Sequence, residues 1–216
     1  MFANRREAGR RLARRLRHLA PERPVVLALP RGGVPVGFEI AEALGAPLDL
    51  VMVRKIGVPW QPELALGAVV DGASPQVLIN ESLAAELGID EAYVERETAA
   101  QLAEIERRRA IYLGDRPPVP FAGATVVVVD DGIATGSTMR IALRAVRRAG
   151  ARRVVLAVPV APADTLASLR AEADEIVCLE EPSPFIAVGA HYVKFPQLED
   201  ADVVSLLEAA RSGRAG

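Results

Sequence analysis

A run of four valines, Val126–Val129, is the feature that most limits how this chain can fold. Valine is β-branched and favours strands, and a strand that is apolar at every position leaves no face for water. The run therefore predicts a parallel strand covered on both sides. Other short apolar runs alternate with helical patterns along the chain, which is typical of an α/β protein. We expect a central, mostly parallel sheet flanked by helices.

Two carboxylates and a turn of small residues follow this strand directly. Asp130 and Asp131 come first, and Gly132–Thr138 continues with glycines and hydroxyl residues. Open α/β sheets bind ligands at the carboxyl ends of their strands, so this turn is well placed for a ligand. Residues 135–149 are predicted to form a helix, and a helix N-terminus beside glycine backbone attracts anions. A phosphate fits the turn and neutral hydroxyls fit the carboxylates, which together indicate a sugar phosphate.

This order of residues resembles the phosphoribosyl diphosphate (PRPP) motif of type I phosphoribosyltransferases. The resemblance implies that Asp130 and Asp131 hold the ribose hydroxyls while the loop binds the 5′-phosphate. The loop residues that it assigns to PRPP are Gly132, Ala134, Thr135, Gly136, Ser137 and Thr138. The alternative is an ordinary strand, turn and helix in which the acidic pair caps the helix. A Walker A loop is excluded, because the segment has no lysine and lacks that motif's order.

Two earlier segments add to the resemblance. Gly32 and Gly33 permit close approach of the backbone to an anion, and Arg31 offers a fork of donors for phosphate oxygens. This turn resembles the family's pyrophosphate loop, which often contains a non-proline cis peptide; a plain β–α turn is the alternative. Arg54 and Lys55 resemble the start of the flexible catalytic loop that meets the leaving pyrophosphate. A solvated charge pair is the alternative there.

The chain departs from better-known relatives at two places. Residues 54–63 contain two prolines and a glycine, which predicts a loop, but Val58 and Trp60 stand where orotate-type relatives carry more basic residues. Either Mg²⁺ then neutralises more of the pyrophosphate or turnover is slow. Enzymes for 6-oxopurines usually have a carboxylate where this chain has Ala134, three residues after Asp131. A hypoxanthine–guanine activity is therefore less expected.

Residues 182–197 resemble the hood, the segment that recognises the nucleobase in this family. Aromatic rings suit base recognition because they stack on a flat ring and Tyr can also donate a hydrogen bond. The residues assigned to base recognition are Ile133, Phe185 and Tyr192, with Trp60 and His191 as further candidates. Burial in the core is the alternative for Phe185 and the favoured fate of Phe195.

Length and composition set the remaining expectations. With 216 residues we expect one domain over 1–216, with a core at about 20–180 and a hood at about 181–198 between terminal helices. Cys178 is the only cysteine and the two histidines are far apart, so no direct metal motif is present. No apolar run approaches the length of a membrane span, which favours the cytoplasm. Seven arginines lie between Arg5 and Arg17, and a solvated helix face explains them better than nucleic-acid binding.

The resemblance implies transfer of a 5-phosphoribosyl group from PRPP to a purine or pyrimidine base, with release of pyrophosphate. The enzyme would be a glycosyltransferase of nucleotide metabolism, with Mg²⁺ held through PRPP near the acidic pair and a homodimer as the family-level expectation. The residues assigned to catalysis are Arg54, Lys55, Asp130 and Asp131. One alternative is a regulator that senses PRPP or nucleotides without useful turnover. Another is a nucleotide-binding α/β protein or a sugar-phosphate hydrolase.

Overall fold

The computed structural model describes residues 1–71 and 75–213, apart from the side chain of Glu63. The strands are β1 (Val25–Ala28), β2 (Leu48–Leu50), β3 (Val53–Val58), β4 (Gln61–Val70), β5 (Gln76–Ile79), β6 (Thr125–Val129), β7 (Arg153–Val160) and β8 (Glu175–Glu180). The helices are α1 (Arg5–Arg15), α2 (Gly33–Leu44), α3 (Glu81–Glu86), α4 (Glu91–Leu113), α5 (Ser137–Arg148), α6 (Ala163–Leu169) and α7 (Asp200–Ser212). Among the described residues, no helix combines the length and the apolar character needed to cross a membrane.

The valine run forms the middle strand of a five-stranded sheet. The strand order is β2-β1-β6-β7-β8, and every neighbouring pair is parallel. All five residues of β6 are buried, and apolar clusters lie against both of its faces. The predicted α/β fold, a parallel sheet flanked by helices, is confirmed. The carboxyl ends of β1 and β6 lie side by side, since Ala28 pairs with Val129.

A second, antiparallel sheet replaces the loop predicted for residues 54–63. Its strand order is β3-β4-β5, and β3 and β4 form a hairpin across that segment. The loop prediction was wrong because Pro59 and Trp60 occupy only the tip of the hairpin. Pro62 lies beside a register shift, where the ladder is interrupted and a missing N–H is tolerated. The apolar run at residues 48–53 indicates a single strand, but the structure divides it into β2 and the start of β3. The sequence also favours a turn at Asp71-Gly72, and Gly72 lies outside the described residues.

A buried cluster of two carboxylates and one guanidinium joins the two sheets. Arg109 of α4 donates to Asp71 Oδ2 at 2.6 Å and to both carboxylate oxygens of Asp49 at 3.1 and 3.2 Å. The backbone N–H groups of Met52 and Val119 donate to Asp71 and Asp49 at 2.6 and 2.8 Å. Burial raises the pKa of Asp71 to about 6, although Met52 and Arg109 both act to lower it. The cluster therefore joins β2, β4 and α4, although burying the charged groups removes them from water, which is unfavourable.

Asp71→Asn should change the pH dependence of stability. The folded protein holds the Asp71 proton more tightly than the unfolded chain, so ionisation of this group lowers stability as the pH rises from about 4 to about 6. The asparagine cannot ionise. Across this interval the wild type should therefore lose up to about 3 kcal/mol of unfolding free energy relative to the variant. Urea unfolding at several pH values measures this difference. Asp115→Asn, at an exposed site, is the matched control, and parallel profiles for the wild type and Asp71→Asn would contradict the prediction.

Candidate active site

Asp130 and Asp131 emerge where β6 ends, at the carboxyl edge of the main sheet. The Asp131 N–H donates to Asp130 Oδ1 at 2.8 Å, which fixes the Asp130 side chain against the backbone of Asp131. Burial, and then the charge of Asp131, raise the pKa of Asp130 well above its ordinary value. Burial also raises the pKa of Asp131, although Arg5 acts in the opposite direction. The pair therefore favours a ligand that brings hydrogen-bond donors or positive charge.

Arg5, which the sequence reasoning missed, is the ion-pair partner of Asp131. Its Nε donates to Asp131 Oδ2 at 2.7 Å, and its side chain is buried, with 9% exposed. The sequence did carry a signal, because helical spacing places Arg5 on the same side of α1 as Ala8 and Leu12. Both of these are fully buried. The other arginines of this region follow the predicted solvated face, with Arg6 and Arg10 pairing with Glu39 at the surface.

The predicted pyrophosphate loop lies against the acidic pair. A Cβ atom on Gly32 would overlap the Asp131 carboxylate, and one on Gly33 would lie 2.6 Å from the Val129 carbonyl oxygen. Only glycine permits this approach at both positions. The peptide bond between Pro30 and Arg31 is cis. The structure therefore places the backbone of residues 32–33 against the end of β6 and the acidic pair, so the predicted pyrophosphate loop and the predicted PRPP motif lie side by side.

Hydrogen bonds to β7 and α6 hold the predicted phosphate loop in place. The Ile133 N–H donates to the Val160 carbonyl at 2.9 Å, and the Thr165 hydroxyl donates to the Ala134 carbonyl at 2.8 Å. Gly136 has a φ of +77°, and a Cβ there would lie 2.8 Å from the Thr165 methyl group. Glycine is required at this position for both reasons.

The loop leaves the groups that suit an anion exposed. Thr135, Ser137 and Thr138 are all exposed at the start of α5. The helix begins at Ser137 rather than at Thr135, and Gly136 contributes no side chain to cap it. First-turn amides of a helix point outwards without partners in the helix, so an external oxyanion can accept from them.

The three basic residues assigned to pyrophosphate lie on two elements. Arg31 donates to the Leu198 carbonyl, and its Nε lies 3.3 Å from Asp200 Oδ1. Arg54, on β3, donates through Nε to Gln101 Oε1 of α4 at 3.0 Å. Lys55 follows on β3 and is exposed. The structure thus gives Arg31 and Arg54 partners within the protein, and their pyrophosphate role stays a prediction.

The residues assigned to base recognition lie in different surroundings. Tyr192 is 6% exposed, its ring centre lies 5.4 Å from that of Phe2 and 4.9 Å from that of Phe195, and its hydroxyl donates to the Asp131 carbonyl. Such a buried ring has no free face for a base, so Tyr192 supports the acidic pair instead. The side chain of Ile133 is also buried. Phe185 is half-buried and stacks on His191, with ring centres 5.7 Å apart, and it remains the aromatic candidate.

Comparison with known proteins agrees with this geometry. The family model described as the phosphoribosyl transferase domain matches residues 3–194. The chain belongs to this family. It is 46% identical over 210 residues to a Mycobacterium tuberculosis (strain H37Rv) protein named as a candidate phosphoribosyl transferase, covering 97% of this chain and 47% of that protein. The chain therefore spans about half the length of this curated relative.

Solved structures show the same architecture. The crystal structure of TT1426 from Thermus thermophilus is 47% identical to this chain, with a TM-score of 0.84 and coverage of 96% of this chain and 97% of that one. A Neisseria gonorrhoeae protein crystallised with ppGpp is 14% identical, with a TM-score of 0.51 and coverage of 96% and 93%. At that identity the likeness concerns the fold alone.

Gly32→Ala should destabilise the protein, because the added methyl group must displace the Asp131 carboxylate and disturb its pairing with Arg5. Overpacking of this kind costs about 1–3 kcal/mol, which urea unfolding can resolve. Gly213→Ala is the matched control, since its φ is −63° and its Cβ would meet chiefly the end of the Glu42 side chain, at 3.2 Å. Equal stability of the two variants would show that the 32–33 backbone is not pressed against Asp131.

Proposed function

We propose that this protein is a Mg²⁺-dependent phosphoribosyltransferase that transfers the 5-phosphoribosyl group of PRPP to a nitrogenous base and releases pyrophosphate. The observation that carries the proposal is the meeting of three parts at one edge of the sheet. These parts are the acidic pair, the glycine-containing phosphate loop and the 32–33 backbone that touches Asp131. Membership of the phosphoribosyl transferase domain family supports this assignment. The acceptor would be a purine or a pyrimidine.

In the proposed complex, the ribose and its 5′-phosphate bind between the acidic pair and α5. Asp130 and Asp131 accept hydrogen bonds from the ribose hydroxyls. The backbone of 134–138 donates to the phosphate, as do the hydroxyls of Thr135, Ser137 and Thr138. Charge-assisted hydrogen bonds of this kind are stronger than neutral ones and fix the orientation of the sugar. The protein then acts by holding C1′ in position while the bond to pyrophosphate breaks.

The leaving pyrophosphate is placed beside Arg31, the 32–33 backbone, Arg54 and Lys55. Arg54 and Lys55 project from a strand that contacts α4, and the Tyr93 hydroxyl of α4 donates to the Gly57 carbonyl at 2.8 Å. A cation held on a supported strand needs little reorganisation as charge develops on the leaving group. At the tip of the hairpin, Trp60 is 64% exposed and is available to cover the bound substrate.

The acidic pair also fits a substrate that carries a divalent cation. Only one of its two carboxylates has a guanidinium partner among the described residues, and burial raises the pKa values of both. Hard oxygen ligands are those that Mg²⁺ prefers, and it commonly stays bound through substrate phosphates. Mg²⁺ held through PRPP near Asp130 and Asp131 would neutralise charge on the leaving group.

Asp131→Asn should weaken PRPP binding by about 1–3 kcal/mol, because a charged acceptor of the ribose hydroxyls is lost. Titration calorimetry with PRPP and Mg²⁺ measures the change. Asp164→Asn is the matched control, since Asp164 is exposed on α6. An unchanged affinity in Asp131→Asn would remove the ribose assignment.

Replacing Arg54 and Lys55 together by alanine should slow turnover more than it weakens the binding of a nucleoside monophosphate. The reason is that the monophosphate product lacks the pyrophosphate that these residues would contact. Pyrophosphate release gives the rate, and titration with the product gives the affinity. Arg107→Ala and Arg108→Ala, which remove surface pairs with Glu104, serve as controls. Equal losses in both measurements would contradict the leaving-group role.

The acceptor and the reaction class can be tested together. The protein is incubated with PRPP, Mg²⁺ and each of a panel of purines and pyrimidines, and pyrophosphate release is followed. Release that depends on one base supports the proposal and names the substrate. Tight PRPP binding without release for any base would favour the regulator that senses PRPP.

A further inference from the structure

Residues 1–5 and the hood segment (residues 181–198) form one packed unit beside the acidic pair. The Phe2 N–H donates to the His191 carbonyl at 2.8 Å, the Val193 N–H donates to the Phe2 carbonyl at 2.8 Å, and the Lys194 N–H donates to the Ala3 carbonyl at 3.0 Å. The Phe2 side chain is fully buried against Tyr192. Backbone hydrogen bonds and the contact between the Phe2 and Tyr192 rings therefore hold the two segments together.

The Arg5 guanidinium connects this unit to Asp131. One of its terminal nitrogens donates to the Pro196 carbonyl at 2.8 Å, and its central carbon lies 3.7 Å from the centre of the Phe195 ring. Its Nε donates to Asp131 Oδ2 at 2.7 Å. Three contacts in different directions leave the guanidinium little freedom, and a planar fork loses little entropy when it is held in this way.

The same unit holds the backbone of Asp131. The Tyr192 hydroxyl donates to the Asp131 carbonyl, so both the main chain and the side chain of this residue are fixed from the hood side. Gly32 closes the opposite side, where a Cβ would overlap the carboxylate. Arg5 uses one of the acceptor positions of the Asp131 carboxylate, and the carboxylate has further lone pairs that can accept from a ligand.

Arg5 also compensates charge at a place where two carboxylates are adjacent. The side chains of Arg5 and Asp131 are only 10% and 14% exposed, so water screens their attraction weakly. Removing one partner of a buried ion pair leaves the other charge uncompensated, which costs far more than losing a surface pair. The ion pair with Arg5 therefore holds the Asp131 side chain in a single orientation.

We propose that Arg5 is a positioning residue that holds Asp131 in the orientation needed for the ribose, so that residues 1–5 and the hood act on substrate binding through it. The proposal rests on the proposed function, because it takes Asp131 as a ribose ligand. This role of Arg5 differs from the solvated helix face that the arginine-rich sequence of α1 predicts. Arg5 pairs with Asp131, whereas Arg6 and Arg10 pair with Glu39 at the surface.

Arg5→Gln should lower the affinity for PRPP about tenfold or more while leaving the affinity for inorganic pyrophosphate unchanged, because pyrophosphate carries no ribose hydroxyls for Asp131 to accept from. Calorimetry with each ligand in the presence of Mg²⁺ gives both values. Arg5→Lys keeps the charge but not the fork, and it should recover part of the lost PRPP affinity. Arg6→Gln is the matched control, since Arg6 is the next residue of α1 and pairs with Glu39 at the surface.

A second variant keeps the test informative if Arg5→Gln folds poorly. Phe195→Leu removes the ring beneath the Arg5 guanidinium and leaves every charge in place, so it should also reduce PRPP affinity, by a smaller factor than Arg5→Gln.

Equal losses of affinity for PRPP and for pyrophosphate in Arg5→Gln would show that Arg5 has a structural role only. Unchanged or increased PRPP affinity in Arg5→Gln would overturn the proposal, and an increase would mean that Arg5 competes with the ribose. A wild-type protein that does not bind PRPP would instead remove the proposed function, and the Arg5 role with it.

Discussion

Burial of β6 on both faces is the constraint on which the rest of the structure depends. A strand of Thr and four Val residues has no side that water can solvate, so it must lie between neighbouring strands and beneath helices. The hydrogen bonds of its backbone are made to β1 and β7. Polar residues can then emerge only where the strand ends, and Asp130 and Asp131 stand there. The position of the candidate site thus follows from the way in which the core is built.

An acidic pair at a strand end is costly unless something compensates it, and this protein uses residues that are far apart in the chain. Arg5 contributes charge, Tyr192 holds the main chain, and the missing side chain of Gly32 gives the carboxylate room. These contacts join the beginning of the chain, the first βα turn and the hood at one point. The ribose end of the proposed site is therefore fixed by contacts with distant parts of the chain, and the phosphate end by the turn at Gly136 together with contacts to β7 and α6.

The hairpin determines how the residues proposed to bind pyrophosphate are held. Arg54 and Lys55 lie on β3, so their backbone is part of a ladder and only the tip at Pro59 and Trp60 is a turn. The cluster of Asp49, Asp71 and Arg109 fastens this small sheet to the large one and to α4. The base of the hairpin is therefore held by buried charge, whereas its tip at Pro59 and Trp60 is exposed.

The sequence by itself determined the α/β class, the parallel core and the location of the glycine-containing turn after β6. These features depend on local patterns, namely apolar runs and glycines at turns. It misjudged residues 54–63, because proline and glycine predict a loop unless a register shift accommodates them. It did not predict that Tyr192 is buried, and although helical spacing places Arg5 on the buried side of α1, it did not predict that Arg5 pairs with Asp131. Those contacts join residues more than 60 positions apart, and only the tertiary structure decided them, because burial and charge pairing depend on which surfaces meet.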